Sequence, residues 1–275
     1  MTTRSPLADP FSLAPSLPAG GAARGGVVVV HGFAGSPFEM RPLGEHLARA
    51  GFAVEGPRLA GHDADSRALQ ATGWNDWADS VERVVVKMLD QHRHVFVCGQ
   101  SLGGLLTLEL ALRQPRLQAI ASLAAPMWLA PMSQGAVRLM NRSQLLRRVI
   151  IPRVAGSDCA DPQMQRQNGE AIGPLGLPIA AVGSLLTFMD HLRPRLQAIT
   201  APTLLMHARQ DHVAPYDCMA AIAAGLRQAA TTTVSLERSY HLISIDVERQ
   251  QVFDAVLQHF ERHATPHDPR GGLPS

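Results

Sequence analysis

Short apolar runs alternate with amphipathic stretches along most of this chain. Residues 27–30 are all valine, a β-branched run without polar alternation. Such a run suits a strand buried on both faces of a parallel sheet. Residues 52–54, 95–98, Ala119–Leu123, 203–206 and 233–236 read as further strands. Helical patterns lie between them. Residues 42–50 predict a helix closed by Gly51. Residues 77–90 carry Val81, Val84, Val85, Met88 and Leu89 at helical spacing. Apolar helices follow at 105–113 and 252–263. This alternation predicts an α/β fold, a mostly parallel sheet flanked by helices. Pro6, Pro10, Pro15 and Pro18 interrupt the start, so residues 1–24 read as a flexible arm with a short edge strand at Phe11–Leu13. Residues 265–275, rich in Pro and Gly, read as a flexible tail.

One interval breaks the rhythm. The stretch from Leu123 to Thr203 is far longer than a single crossover helix with short loops needs. Residues 127–192 therefore read as an insertion between core segments 25–126 and 193–264. Helical stretches are expected at 135–146 and at Ile179–Leu192, with a Pro/Gly stretch at 173–178 between them. The insertion leaves the strand that follows residues 95–98. Strand C-termini carry the ligand site in open α/β sheets, so a small helical cap over that site is expected.

Composition narrows the class. The 275-residue chain is 46% hydrophobic and 17% charged, which is a globular balance. Its formal net charge is +2, and its longest basic run is Arg147-Arg148, which argues against nucleic acid as a partner. Cys98, Cys159 and Cys218 are widely spaced and form neither a disulfide frame nor a zinc pattern. A reducing, cytoplasmic setting fits that usage. No secretory leader or integral membrane segment is expected.

The chemistry centres on Gly99-Gln100-Ser101-Leu102-Gly103, directly after the strand at 95–98 and before an apolar helix. A strand, G-x-S-x-G and a helix form a nucleophile elbow, in which a Cβ at either glycine would collide with its neighbours. A serine hydroxyl needs a base, and the base needs an orienting acid. In the order Ser…Asp…His, Asp211 follows the strand at 203–206 and His241 follows that at 233–236. Both then emerge at the same sheet edge as Ser101. Asp246 is a rival acid, read as a cap or pair near the last helix. His46, His92, His94, His259, His263 and His267 read as solvated. The oxyanion needs two backbone donors. Leu102 N–H at the start of the elbow helix is one. Phe33 N–H in His31-Gly32-Phe33-Ala34-Gly35 is the other, with Ala34 as the alternative and His31 as a brace.

These residues resemble the α/β-hydrolase superfamily, and more closely its small bacterial carboxylesterase and monoacylglycerol-lipase group. The matching pieces are H-G-F-A-G at His31, P-R-L-A-G-H ending at His62, W-x-x-W at Trp74, G-Q-S-L-G-G at Gly99, A-P-T-L-L-M at Ala201, A-R-Q-D at Ala208 and the His241 segment. The resemblance implies a serine hydrolase with catalytic Ser101, Asp211 and His241, an oxyanion hole at Phe33 and Leu102, no metal or other cofactor, and a small helical cap. The chain departs from the pattern at Tyr240 and Asp63, where glycine is common.

The expected activity is cleavage of short- to medium-chain acyl esters or monoacylglycerols, with a small-molecule ester as the partner. Phe33, Met127, Met132, Met140 and Tyr240 are the candidate substrate-binding residues; the methionines read equally as plain packing. A thioesterase, an acyltransferase or a cofactor-free peroxidase-like enzyme would use the same triad. A hydrolase-like binding protein is a further alternative, disfavoured because all three triad members are present. Dehalogenase and epoxide-hydrolase chemistry is disfavoured because related enzymes of those kinds carry Asp where this chain has Ser101.

Overall fold

The computed structural model describes residues 6–17, 21–63, 65–129, 131–152, 157–172 and 176–264, without the side chains of 131–133. The expected tail at 265–275 and His267 lie outside the described residues. In chain order the elements are β1 (Phe11–Leu13), β2 (Gly26–Val30), α1 (Arg41–Arg49), β3 (Ala53–Gly56), α2 (Ser66–Gln70), α3 (Trp74–Gln91), β4 (Val95–Gln100), α4 (Leu102–Arg113) and β5 (Ala119–Leu123). There follow α5 (Pro131–Asn141), β6 (Ile150–Ile151), α6 (Pro162–Ile172), β7 (Leu177–Pro178), α7 (Ile179–Leu192), β8 (Thr203–Ala208), α8 (Asp217–Gly225), β9 (Thr231–Leu236) and α9 (Arg249–His263).

Among the described residues the main sheet has the order β1-β3-β2-β4-β5-β8-β9. Only β1 runs antiparallel in it. The valine run explains itself once both faces are seen. Val28 and Val30 enter the core formed with α3, α4 and α7, whereas Val27 and Val29 enter the core formed with α1 and α9. Val95 and Val97 take the first face, and Phe96 and Cys98 the second. Each fully buried Val or Leu contributes about 1.5–3 kcal/mol, so a strand covered on both sides is apolar throughout. The register brings the C-terminal ends of the central strands to one edge: Val30 pairs with Gly99, Gln100 with Leu123, and Leu123 with Met206.

The short edge strand expected at Phe11–Leu13 forms as β1 and ties the N-terminal segment to the sheet. The Phe11 ring fills the space that a Cβ on Gly56 would need, 2.3 Å away, and Ser16 N–H donates to Ala48 O at 2.8 Å. The first helix of the insertion starts and ends earlier than its apolar pattern suggests. It stops at Asn141, whose amide donates to Ile179 O at 3.0 Å and packs where a Gly183 side chain would lie.

Within the insertion, β6 and β7 pair antiparallel. Helix α7 is part of the main core by packing: Ile179, Leu185, Leu186, Phe188, Met189 and Leu192 are buried there. The Phe188 ring stacks on Trp74 at 4.9 Å, and Trp74 N–H donates to Ser184 Oγ at 2.9 Å. Among the described residues, no helix is long and apolar enough to cross a membrane.

Candidate active site

Ser101 joins β4 to α4 with φ 57° and ψ −117°, a backbone conformation that residues with a Cβ avoid. Its N–H donates to Leu123 O at 2.8 Å, and its C=O accepts Leu105 N–H at 3.1 Å. The flanking glycines let the helix start this close to the sheet. A Cβ on Gly99 would lie 2.1 Å from Gly103 O, and one on Gly103 would lie 2.1 Å from Val30 O.

The C-terminal ends of β8 and β9 bring two partners to this turn. His241 Nε2 lies 2.8 Å from Ser101 Oγ. His241 Nδ1 lies 2.8 Å from Asp211 Oδ2. Donation from Nδ1 to the carboxylate leaves the Nε2 lone pair facing the hydroxyl. Asp211 Oδ1 accepts the N–H groups of Val213 and Ala214 at 2.8 Å each. His207, within β8, adds its Nε2 at 3.1 Å from Asp211 Oδ2 and 3.0 Å from Ala214 O.

Burial pushes the His241 pKa down, but Asp211, followed by Asp158 and Glu39, outweighs it, so the net shift is upward. Burial also disfavours the Asp211 carboxylate. The charges and hydrogen bonds of His241 and His207 reverse that and hold it well below the usual carboxylate range. The pair thus joins an imidazole whose protonated form is stabilised to a carboxylate held ionised.

The loop after β2 passes beside Ser101. A Cβ on Gly32 would lie 3.3 Å from Ser101 Cβ. Gly35 N–H donates to Gly32 O at 3.2 Å, and Ala34 takes φ 51°. His31 donates from Nδ1 to Gly32 O at 2.9 Å and accepts Leu59 N–H on Nε2 at 3.2 Å. Burial first, then the nearby His62, lowers its pKa to about 3, so it braces the loop as a neutral ring. The buried Glu39 carboxylate accepts Gly32 N–H at 2.9 Å. Its other oxygen occupies the space that a Gly35 Cβ would need. Among the described residues, the N–H groups of Phe33 and Leu102 have no acceptor. Leu102 opens α4, where the helix dipole favours negative charge.

Of the expected pocket residues, Phe33, Met127 and Met140 lie in or against the main core, Met127 buried and Met140 half-buried. The Met132 side chain lies outside the described residues. The Phe33 ring packs near Trp77 at 5.6 Å and His62 at 6.1 Å. Tyr240 turns its ring onto His212 at 4.7 Å. Asp246 stands before α9 as expected, but its carboxylate has a wider reach. It accepts Tyr240 N–H at 2.7 Å, Ala160 N–H at 3.0 Å and Asp161 N–H at 2.9 Å. His259, expected to be solvated, is buried against Pro202 O at 3.3 Å.

Residues 21–248 match the family described as serine aminopeptidase, S33. The chain belongs to this family. It is an α/β-hydrolase. It is 30% identical to a thermostable monoacylglycerol lipase of Bacillus sp. (strain H-257), over 87% of this chain and 91% of that protein. It is 24% identical to a carboxylesterase of Bacillus subtilis (strain 168), over 86% and 92% respectively. Its fold is similar to a structure titled for the metagenome-derived lipolytic enzymes LipS and LipT, with TM-score 0.80 and 27% identity over 94% of this chain and all of that one.

Within this α/β-hydrolase, sequence reasoning missed four supporting residues: His207, Glu39, Gln100 and Asp158. The i,i+4 spacing of His207 and Asp211 was a usable signal. Gln100 Oε1 accepts Ser244 N–H at 2.8 Å, and Ser244 Oγ donates to Glu39 O at 2.7 Å. Those links join segments remote in sequence and leave no local pattern.

Proposed function

We propose that this hydrolase cleaves short- to medium-chain acyl esters or monoacylglycerols through an acyl-enzyme on Ser101. The observation that carries the reading is the unbroken line Asp211–His241–Ser101, with both contacts at 2.8 Å. Ser101 Oγ attacks the ester carbonyl carbon while its proton passes to His241 Nε2. The imidazolium is stabilised by Asp211. The carbonyl oxygen, now negative, takes the N–H groups of Phe33 and Leu102; one such donor is worth about 10²–10³ in kcat. His241 then returns the proton to the departing alkoxide, and the alcohol leaves. Water, deprotonated by His241, hydrolyses the acyl-serine and restores the enzyme.

The similarity to a monoacylglycerol lipase over most of both chains supports acylglycerols as the substrate class. Residues 127–192 act as the cap in this reading. Fluorophosphonate labelling combined with Ser101→Ala tests it. The variant should lose labelling and about 10⁶-fold in kcat with an unchanged melting temperature. Retention of more than a few per cent of activity would remove Ser101 as the nucleophile. A panel of p-nitrophenyl esters, thioesters and monoacylglycerols then ranks the substrates. Preference for thioesters over every oxygen ester would overturn the ester reading.

A further inference from the structure

A carboxylate from the insertion reaches the back of the Ser101–His241–Asp211 line. Asp158 Oδ2 accepts the backbone N–H of His241 at 3.1 Å and that of His212 at 3.1 Å. Its Oδ1 lies 2.7 Å from His212 Nδ1. Its own C=O accepts Leu242 N–H at 3.0 Å. His212 directly follows Asp211, so one side chain ties the acid loop and the base loop to the insertion. The neighbouring residues reinforce the tie, since Ala160 and Asp161 bind the Asp246 carboxylate and Asp161 pairs with Arg249 at 2.9 Å.

We propose that Asp158 is a positioning residue for ester hydrolysis, fixing the spacing of the Asp211 and His241 loops and adding a second negative charge behind the imidazolium. The proposal rests on the reading of Ser101, His241 and Asp211 given above. Two backbone N–H groups need only a neutral acceptor, so the charge must be distinguished from the hydrogen bonds. Among the described residues, Asp158 pairs with His212, which carries a charge only when protonated, and the Asp158 side chain is only 18% exposed. No lysine or arginine pairs with it there, so its field remains available to His241. The other charged or titratable groups around His241 are Asp211, Glu39 and, across Asp211, His207.

The test compares kcat/KM against pH for wild type, Asp158→Asn and Asp158→Glu on p-nitrophenyl butyrate. Asp158→Asn keeps an acceptor but removes the charge. Its ascending limb should move to lower pH by about half a unit, the effect of one charge at a few ångströms under strong screening. Its kcat should fall by up to about tenfold while KM stays within about twofold. Asp158→Glu keeps the charge and misplaces the acceptor, so kcat should fall with the limb unmoved. If Asp158→Asn does not fold, Asp158→Glu decides: wild-type kcat there overturns the proposal. An unmoved limb in folded Asp158→Asn overturns the electrostatic role, whatever the melting temperature does. Wild type that fails to label with fluorophosphonate would indict the triad reading instead, so the two failures are distinguishable.

Discussion

Asp211 and Asp246 are both buried carboxylates near His241, and their hydrogen bonds separate their tasks. Asp211 meets the imidazole at Nδ1, whereas Asp246 meets backbone N–H groups around it and the Cys159 thiol. Asp211→Asn should therefore cost about 10⁴-fold in kcat by favouring the wrong histidine tautomer. The His241 pKa is raised in the folded protein, so wild-type kcat/KM should rise with pH through a value above the ordinary imidazole's ~6.5. Removing the Asp211 charge should move the residual limb downward. Asp246→Asn would turn an amide NH₂ toward groups that are themselves donors. That should cost about 1–3 kcal/mol and appear first in the melting temperature. If Asp246→Asn damages kcat more than Asp211→Asn, the orienting acid has been misassigned. The sequence could rank these two acids because Asp211 follows a strand in the required chain order. It could not reveal that Asp246 stitches the insertion to the His241 loop, because Ala160 and Asp161 donate through their backbones and carry no motif.

At the scale of elements, what was legible tracks how much apolar surface each element buries. Ala119–Leu123 and Ile179–Leu192 were read with their observed bounds because nearly every turn of each meets the core. Strands β4 and β8 run two residues beyond their apolar patterns, through Gly99-Gln100 and His207-Ala208. Those residues are buried too, but they serve the site, so their chemistry hides the strand. Helix α6 went unread because its buried residues are only Asn168, Ala171 and Ile172. The glycines of the elbow were legible for a steric reason that can be tested. Gly99→Ala or Gly103→Ala puts a Cβ 2.1 Å from a backbone carbonyl oxygen, which cannot yield without moving a strand or helix. Either should cost more than the ~1–3 kcal/mol of ordinary overpacking. Gly169→Ala, in the middle of α6 with nothing within 4 Å of the new Cβ, should instead stabilise by about 0.4–1 kcal/mol. Denaturant midpoints of the variants check the ranking. A folded Gly103→Ala as stable as wild type would contradict the account of how α4 seats on the sheet.

Buried histidines on both faces of the sheet set how the whole molecule responds to acid. His31 and His62 sit beside the β2 loop, and His259 sits in α9 against the opposite face. Burial lowers the pKa of His31 to about 3, and of His62 and His259 to about 4. An unfolded histidine takes its proton near ~6.5. As pH falls below that value the unfolded chain binds protons that the fold refuses, and stability declines. Each histidine contributes at most about 1.4 kcal/mol per pH unit until its folded pKa is reached. His241 has the opposite sign. Its folded pKa is raised, so its contribution is complete below ~6.5 and is lost as pH rises through the folded value. Asp211 is depressed, so its contribution holds above ~4 and is lost only at lower pH. Between about pH 6.5 and pH 4, therefore, neither His241 nor Asp211 offsets the neutral histidines. The melting temperature should fall steeply from about pH 6.5 to about pH 5, before the Asp211 carboxylate takes up a proton. Replacing one of the three by a group that cannot ionise, His259→Gln, should reduce that slope and leave kcat at neutral pH unchanged. A melting temperature flat across that interval would mean that these rings gain protons inside the fold, and the loop after β2 would then have to be braced by something other than a neutral His31.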